Sequence, residues 1–434
     1  MSNMKDLHEI SFRAKSSFYE LSVSACSERN RVLLRLSELL KENSHSIFAA
    51  NNKDIEQAES EGLVAPLLHR LKFGEEKLSQ ICEGLLSLAA LPDPIGRITL
   101  ATEITDGLNL YRTVCPIGVI GVIFESRPDA LIQIASLCIK SGNAVLLKGG
   151  RESLRTNQIL ADIVRQALTD TKLPPDAAQL LESREDVAAM LKEDELIDLV
   201  IPRGSNAFVR YIMDNSRIPV LGHSDGICHV YIDKAADPEM AVRLIVDSKT
   251  QNVSVCNAAE TLLIHQEAAR KLLPLIAKAL QEKNVEIRGD QRTACIIDCV
   301  PASEKDWSTE YLDYIISVKI VDSIHEAVSH INHYGSHHTD CIVTEDDAAA
   351  TEFLNMVDSA GVYRNVSTRF ADGFVYGFGA EVGIATGKLH ARGPMGLEGL
   401  TTYKYKLIGN GQTLAEMKNG KLKYTHRSLP LSNE

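Results

Sequence analysis

The sequence predicts an α/β protein with two doubly wound parallel sheets in series, and three observations predict it. Short apolar runs alternate with amphipathic stretches such as ALIQIASLCIKSG: GVIGVIFES from Gly118, NAVLLKGG from Asn143, AAQLLES from Ala177 and LIDLVIPRG from Leu196. The alternation restarts after residue 223 with ICHVYIDK, TLLIH, ISVKIVDS and DCIVTED, each followed by a helical stretch. At 434 residues the chain has room for two to three domains of roughly 150 residues. Parallel strands need crossover helices, and a sheet covered on both faces reads as continuous apolar runs rather than as alternation.

Ahead of the first sheet, the chain reads as helices. Val32, Leu33, Leu36, Leu39 and Leu40 recur at three- and four-residue steps and share one helical face. The breaker cluster LPDPIG from Leu91 ends this region. GRITLATEITDGLNLYRTV then reads as two strands around an Asp106-Gly107 turn. Cys295 and Cys299 fall in an apolar run that reads as strand, and the end of the chain, from LTTYKYKLIGNG, as one alternating strand followed by a polar, solvated tail.

Composition excludes several functions. Lys plus Arg number 46 against 58 Asp plus Glu, a net charge of −12, which disfavours nucleic acid and anionic membranes as partners. The longest apolar stretch, CPIGVIGVIF from Cys115, is broken by Pro116, Gly118 and Gly121 and is too short to span a bilayer. The amino terminus has no apolar signal core. Nine scattered cysteines, an odd number, fit a reducing cytoplasm better than a disulfide framework.

Two turns have the chemistry of an anion cradle. LLKGGRES places Lys148 and Gly149-Gly150 between a strand and a helix, and VIPRGSNAF places Arg203, Gly204 and Ser205 in the same position. Either turn receives phosphate, or its glycines ease the backbone and its serine caps the helix. Among the cysteines, Cys256 stands apart: in TQNVSVCNAAETLL a polar stretch leads into a strand and Asn257 follows the thiol. Such a cysteine either serves as a nucleophile or packs as a small hydrophobe. His333, His337, His338 and Cys341 cluster in HYGSHHTDC, but their spacing fits no zinc motif and no metal is expected. His223 and His229 flank a glycine-containing turn, and either packing or function is open for them.

Taken together, VCPIGVIGVIFESRPD, AVLLKGGRES, VIPRGSN, SVCNAAETLLIH, GSHHTDCIVTED and VSTRFADGFVYGFGAEVGIATGKLHARGPMGLEGLTTYKY resemble the gamma-glutamyl phosphate reductase family of the aldehyde dehydrogenase superfamily. The resemblance implies an aldehyde dehydrogenase-like fold: two doubly wound α/β domains plus a small β-flap for oligomerisation. It divides the chain into residues 1–97 with 114–222 as the cofactor-binding domain, 223–400 as the catalytic domain, and 98–113 with 401–434 as flap and tail. It implies NADPH-dependent reduction of L-glutamyl 5-phosphate to glutamate 5-semialdehyde and phosphate, the second step of proline synthesis. Cys256 is then the nucleophile that carries the acyl group as a thioester. Lys148, Gly149 and Arg151 fall where the adenosine ribose is met. Arg151 replaces a glutamate common in NAD-using members, and a guanidinium suits a 2′-phosphate, so NADP is the expected cofactor. Gly204 and Ser205 match the pyrophosphate turn and Glu310 the glutamate that holds the nicotinamide ribose. Ser126, Asn257 or a backbone amide is the expected oxyanion donor, Arg127 either meets the acyl phosphate or is salt-bridged to Glu125 or Asp129, and Ser367, Thr368 and Arg369 anchor the α-carboxylate. The resemblance also implies a homodimer or homotetramer and admits a complex with glutamate 5-kinase.

One departure bears on chemistry. Hydrolytic members of the superfamily carry E-L-G-G-K, whose glutamate activates water, where this chain has Val220-Leu221-Gly222-His223. Without that base a thioester survives long enough to be reduced. A coenzyme A-dependent dehydrogenase and a non-catalytic scaffold that binds the kinase are the remaining readings.

Overall fold

The structure is a computed structural model that describes residues 2–182, 185–222, 225–378 and 381–431. Its first sheet has four parallel strands in the order Ala178–Leu180, Ala144–Lys148, Val119–Phe124, Leu199–Arg203. Every residue of Val119–Phe124 and Ala144–Lys148 is buried, as continuous apolar runs require between two helical layers. Helices Pro128–Lys140 and Leu154–Asp170 cover the sheet, and the amino-terminal helices close the same core. Lys15 in the first helix, Ser2–Leu21, ties to Asp198 at 2.7 Å, just before the last strand of the sheet.

The second sheet has seven strands, all parallel, ordered Val300–Pro301, Glu286–Gly289, Ile315–Val321, Ala259–His265, Cys228–Ile232, Thr339–Val343, Gly361–Arg364. Four of them are the apolar runs expected. Glu286–Gly289, Val300–Pro301 and Gly361–Arg364 are short and partly exposed, and so carry no run to recognise. The region of Cys295 and Cys299 is not a strand: Gln291–Ala294 is a short helix capped by Asp290, and Cys295 is exposed at its end. Between the strands Ile315–Val321 and Thr339–Val343 runs helix Ile324–Tyr334, and after the latter comes Asp347–Met356.

A third sheet is antiparallel. The hairpin expected at Asp106-Gly107 is Ile98–Thr105 with Leu108–Pro116, and Gly107 takes the positive φ (+69°) of its turn. Thr401–Ile408 pairs along Leu108–Pro116. The tail is more than a solvated end: Arg427–Ser428 adds a fourth strand beside Ile98–Thr105, with Arg427 on Glu103 at 2.7 Å. The segment before Thr401 returns to the first core, where Val382, Ala385, Met395 and Leu400 are buried. Among the described residues no helix is long and apolar enough to cross a membrane.

Candidate active site

The carboxyl ends of the first sheet face the amino ends of the second, and the chemistry-bearing residues collect between them. Val119–Phe124 and Leu199–Arg203 end side by side, with Phe124 paired to Arg203. Strand order reverses between these two, and such a reversal opens a crevice. Helix Asn206–Asn215 starts there. A Cβ on Gly204 would stand 2.6 Å from Glu125 Oε2, and the Ser205 amide donates to that same oxygen at 3.1 Å. A carboxylate of the chain itself therefore rests on this turn, and the turn accepts anions. Asn206 Nδ2 donates to Asp225 at 2.9 Å and to Glu310 at 2.6 Å, joining the helix start to the second sheet's side of the mouth.

Lys148 ends the neighbouring strand and is 7% exposed, its ammonium donating to the Gly149 carbonyl at 2.6 Å. Burial lowers it from its ordinary value, opposed by Asp186, Glu152 and Glu182. A Cβ on Gly149 would meet Asn157 Nδ2 at 2.1 Å, so only glycine lets helix Leu154–Asp170 close on the turn. Arg151 is exposed beside it.

Cys256 is half-buried in an irregular turn three residues before the strand Ala259–His265, and the turn is closed by Ala258 N–H to Val255 O at 3.1 Å. Four contacts pin this turn. The Cys228 thiol donates to the Cys256 carbonyl at 3.3 Å, and Thr368 Oγ1 donates to the Asn257 carbonyl at 2.7 Å. Asn257 Nδ2 donates to Ala371 O at 2.9 Å. Gly226 lies so close that a Cβ there would sit 2.2 Å from the Cys256 carbonyl oxygen. Two cations are within electrostatic reach of the sulfur. Burial lowers the Arg203 guanidinium, offset first by Glu381 and more weakly by Cys256, and burial lowers that of Arg369, offset first by Cys256. Arg203 also bonds Val382 O, and Arg369 Nε donates to Gln251 at 2.8 Å.

Several expected roles change. Ser126, 4% exposed and at φ +47°, gives both its amide and its hydroxyl to Glu152 at 2.7 Å, so its donors are already spent within the chain. Asn257 spends amide hydrogen on Ala371 and is 5% exposed, so it braces the turn instead of facing substrate. Ser367 and Thr368 are 2% and 0% exposed and bond Ser248 and Asn257. They anchor the turn, and of the three only Arg369 is open to a carboxylate. Arg127 is paired with neither neighbouring acid, since Glu125 sits on Ser205 and Asp129 on Lys77. His229 is packed, fully buried with Nδ1 on Asp340 at 2.8 Å, while His223 lies outside the described residues.

Sequence reasoning named Arg203 only as the cation of a turn, and it missed Gly226, Cys228 and a buried ion pair. Lys249 Nζ meets Glu260 at 2.6 Å with neither side chain exposed, and the Leu312 amide donates to Glu260 at 3.3 Å. The pair thus ties the strand after Cys256 to the loop that carries Glu310. Burial pushes the Glu260 carboxyl up to about 7, against the pull of Lys249. A lysine in an amphipathic helix and a glutamate opening a strand give no sign in sequence that they meet.

The aldehyde dehydrogenase family model matches residues 1–295. The chain is 55% identical over 424 residues to the gamma-glutamyl phosphate reductase of Ruminiclostridium cellulolyticum, covering 98% of each. A crystal structure of gamma-glutamyl phosphate reductase from Thermotoga maritima superposes with a TM-score of 0.92 at 38% identity, over 94% of this chain and 99% of that one. An acetylating aldehyde dehydrogenase from Geobacillus thermoglucosidasius has the same fold, with a TM-score of 0.65 at 16% identity over 95% of this chain and 98% of its own.

Proposed function

The chain belongs to the aldehyde dehydrogenase family and, within it, to the gamma-glutamyl phosphate reductases, and from that premise we propose that it reduces L-glutamyl 5-phosphate to glutamate 5-semialdehyde with NADPH, through a thioester on Cys256. The observation that carries the reading is the position of that sulfur: half-open, on a turn pinned from both sides, and within electrostatic reach of Arg203 and Arg369, the first of which leads into the anion-accepting turn at Ser205. The Cys256 thiolate attacks C5, the C–S bond forms, and the C–O bond to phosphate breaks. Arg203 and Arg369 offset the negative charge that gathers on the acyl oxygen and the leaving group. The nicotinamide, when bound, supplies a hydride to the thioester carbon. Collapse of the resulting oxyanion releases aldehyde and returns the thiolate. Val220, Leu221 and Gly222 bring no carboxylate to activate water, which keeps hydrolysis from competing.

The groups present fit a dinucleotide. Ser205 and the glycine before it would take the pyrophosphate, Glu310 the nicotinamide ribose, and Lys148 with Gly149 the adenosine ribose. Three carboxylates surround Lys148, and of the groups at this turn the exposed Arg151 is the one whose fork would meet a 2′-phosphate. Thr401–Ile408 is an edge strand whose Tyr405, Leu407 and Ile408 are exposed, and we assign it to contact with a second copy of the chain in a homodimer or dimer of dimers.

The test runs the reaction backwards: phosphate-dependent reduction of NADP⁺ with the semialdehyde. Cys256→Ala should abolish it and leave cofactor binding intact. Turnover retained in that variant overturns the mechanism, and coenzyme A replacing phosphate in the wild type overturns the substrate. A purified chain with no turnover of its own would leave only the scaffold reading.

A further inference from the structure

A second basic pocket opens beside the mouth. It is a cavity of about 460 Å³ between the helices Ala65–Leu71 and Glu75–Ala90 and the start of Pro128–Lys140. Arg70, Lys72, Lys77 and Arg127 line it, with Glu75, Glu76 and Asp129. Not all of those charges are available. Asp129 is taken by Lys77 at 3.2 Å, and Glu75 and Glu76 are exposed in the first turn of their own helix, where they complement its dipole. Lys72 is exposed to solvent, which leaves Arg70 and Arg127, both half-buried, as the sheltered cations, and among the described residues neither has a carboxylate partner.

Two half-buried guanidiniums lining one cavity without a counter-ion are costly to bring out of water. Burial, and then Arg127, hold the Arg70 guanidinium below its ordinary value. A planar fork beside another fork matches a tetrahedral oxyanion, which accepts two donors from each. Position says which oxyanion. Arg127 stands three residues after the strand Val119–Phe124, whose last residue pairs with Arg203. Arg203 in turn feels the charges of Arg127 and of Cys256. The pocket that Arg127 lines is therefore within electrostatic reach of Arg203, at the carboxyl edge of the first sheet.

We propose that Arg70 and Arg127 form a phosphate-binding pocket that receives the inorganic phosphate released when Cys256 is acylated, and that supplies it in the reverse reaction. The assignment rests on the reductase reading and adds to it a residue, Arg70, from the amino-terminal helices. Removing one of two guanidiniums should weaken phosphate and nothing else. In the phosphate-dependent oxidation of the semialdehyde, Arg70→Met should raise KM for phosphate at least tenfold and leave KM for NADP⁺ within twofold. Arg70→Lys should recover part of the loss, and serves alone if the methionine variant does not fold. Arsenate in place of phosphate should respond in parallel. An unchanged phosphate KM in a folded Arg70 variant overturns the pocket while the reductase reading stands. If the wild type shows no phosphate-dependent turnover, that reading falls, and calorimetric titration of the full chain with inorganic phosphate decides the pocket. Binding lost in Arg70→Met supports it there, and binding equal to wild type refutes it.

Discussion

Gly226→Ala is the substitution that most directly tests how the nucleophile is held. The added methyl would stand 2.2 Å from the Cys256 carbonyl oxygen and 2.5 Å from its Cα and Cβ, where ordinary contact begins near 3.4 Å. The neighbour is backbone, which cannot swing aside like the end of a long side chain. The Cys256 turn must therefore retreat by about 1 Å, against the Cys228 and Thr368 bonds that pin it. A displacement of about 1 Å at a reacting group costs on the order of 10²-fold in rate, or about 2.7 kcal/mol of barrier. The assay is kcat for phosphate-dependent oxidation of the semialdehyde, read beside KM for NADP⁺ and a urea unfolding curve. We expect kcat to fall about a hundredfold with the cofactor KM unchanged, because the Ser205 and Lys148 turns lie on the other sheet. Gly84→Ala is the control: it sits in helix Glu75–Ala90 with no atom within 4 Å of the new methyl, so it should leave kcat alone and stabilise by about 0.5–1 kcal/mol. A folded Gly226→Ala enzyme with wild-type kcat would refute the idea that this glycine sets the sulfur's position.

Two further outcomes follow from buried and exposed groups. His330 is 4% exposed, with neither ring nitrogen bonded, and it packs against Trp307 and His229 at ring distances of 5.5 Å and 5.6 Å. Burial, helped by His229, Lys319 and His333, pushes its imidazole down to about 2. The unfolded chain protonates this ring near 6.5, so its contribution is complete above that pH and is lost as pH falls, by about 1.4 kcal/mol per unit. His330→Phe should therefore gain on the wild type by about 2 kcal/mol between pH 6.5 and pH 5 in urea unfolding. Parallel stability curves across that window would remove the argument. At the flap, Tyr405→Glu with Leu407→Glu places two charges on an edge strand where both side chains are more than half exposed. Light scattering should then report monomers from a protein of unchanged secondary structure, and an unchanged assembly would move the interface elsewhere.

The two sheets were legible because their strands are buried on both faces, and Ala144–Lys148 or Cys228–Ile232 can hardly be written with anything but apolar residues. The hairpin was legible because Asp106-Gly107 names its own turn. Gly361–Arg364 was not, since an edge strand with four half-buried residues has no periodicity to find. The same division holds at the site. Cys256 and the Lys148 and Ser205 turns announce themselves by local composition. Ser126, Ser367 and Thr368 have the right chemistry for substrate, but Ser126 and Thr368 spend their donors on Glu152 and Asn257, and the buried Ser367 hydroxyl accepts from Ser248. Which way such a donor faces depends on residues far off in the chain, and no local pattern encodes it. Arg70 lies in one helix and Arg127 caps the start of another, and only the fold shows that they line one cavity.

The mounting of Cys256 draws on two stretches of chain that are distant in sequence: Gly226 and Cys228 before it, Thr368 and Ala371 more than a hundred residues after it. A nascent chain that has just emerged past Asn257 owns the sulfur but lacks half of its frame. Competence for chemistry is thus installed late in synthesis, when the final third of the polypeptide closes over the turn, and a truncated product carries an ordinary thiol instead of an unsupervised catalyst.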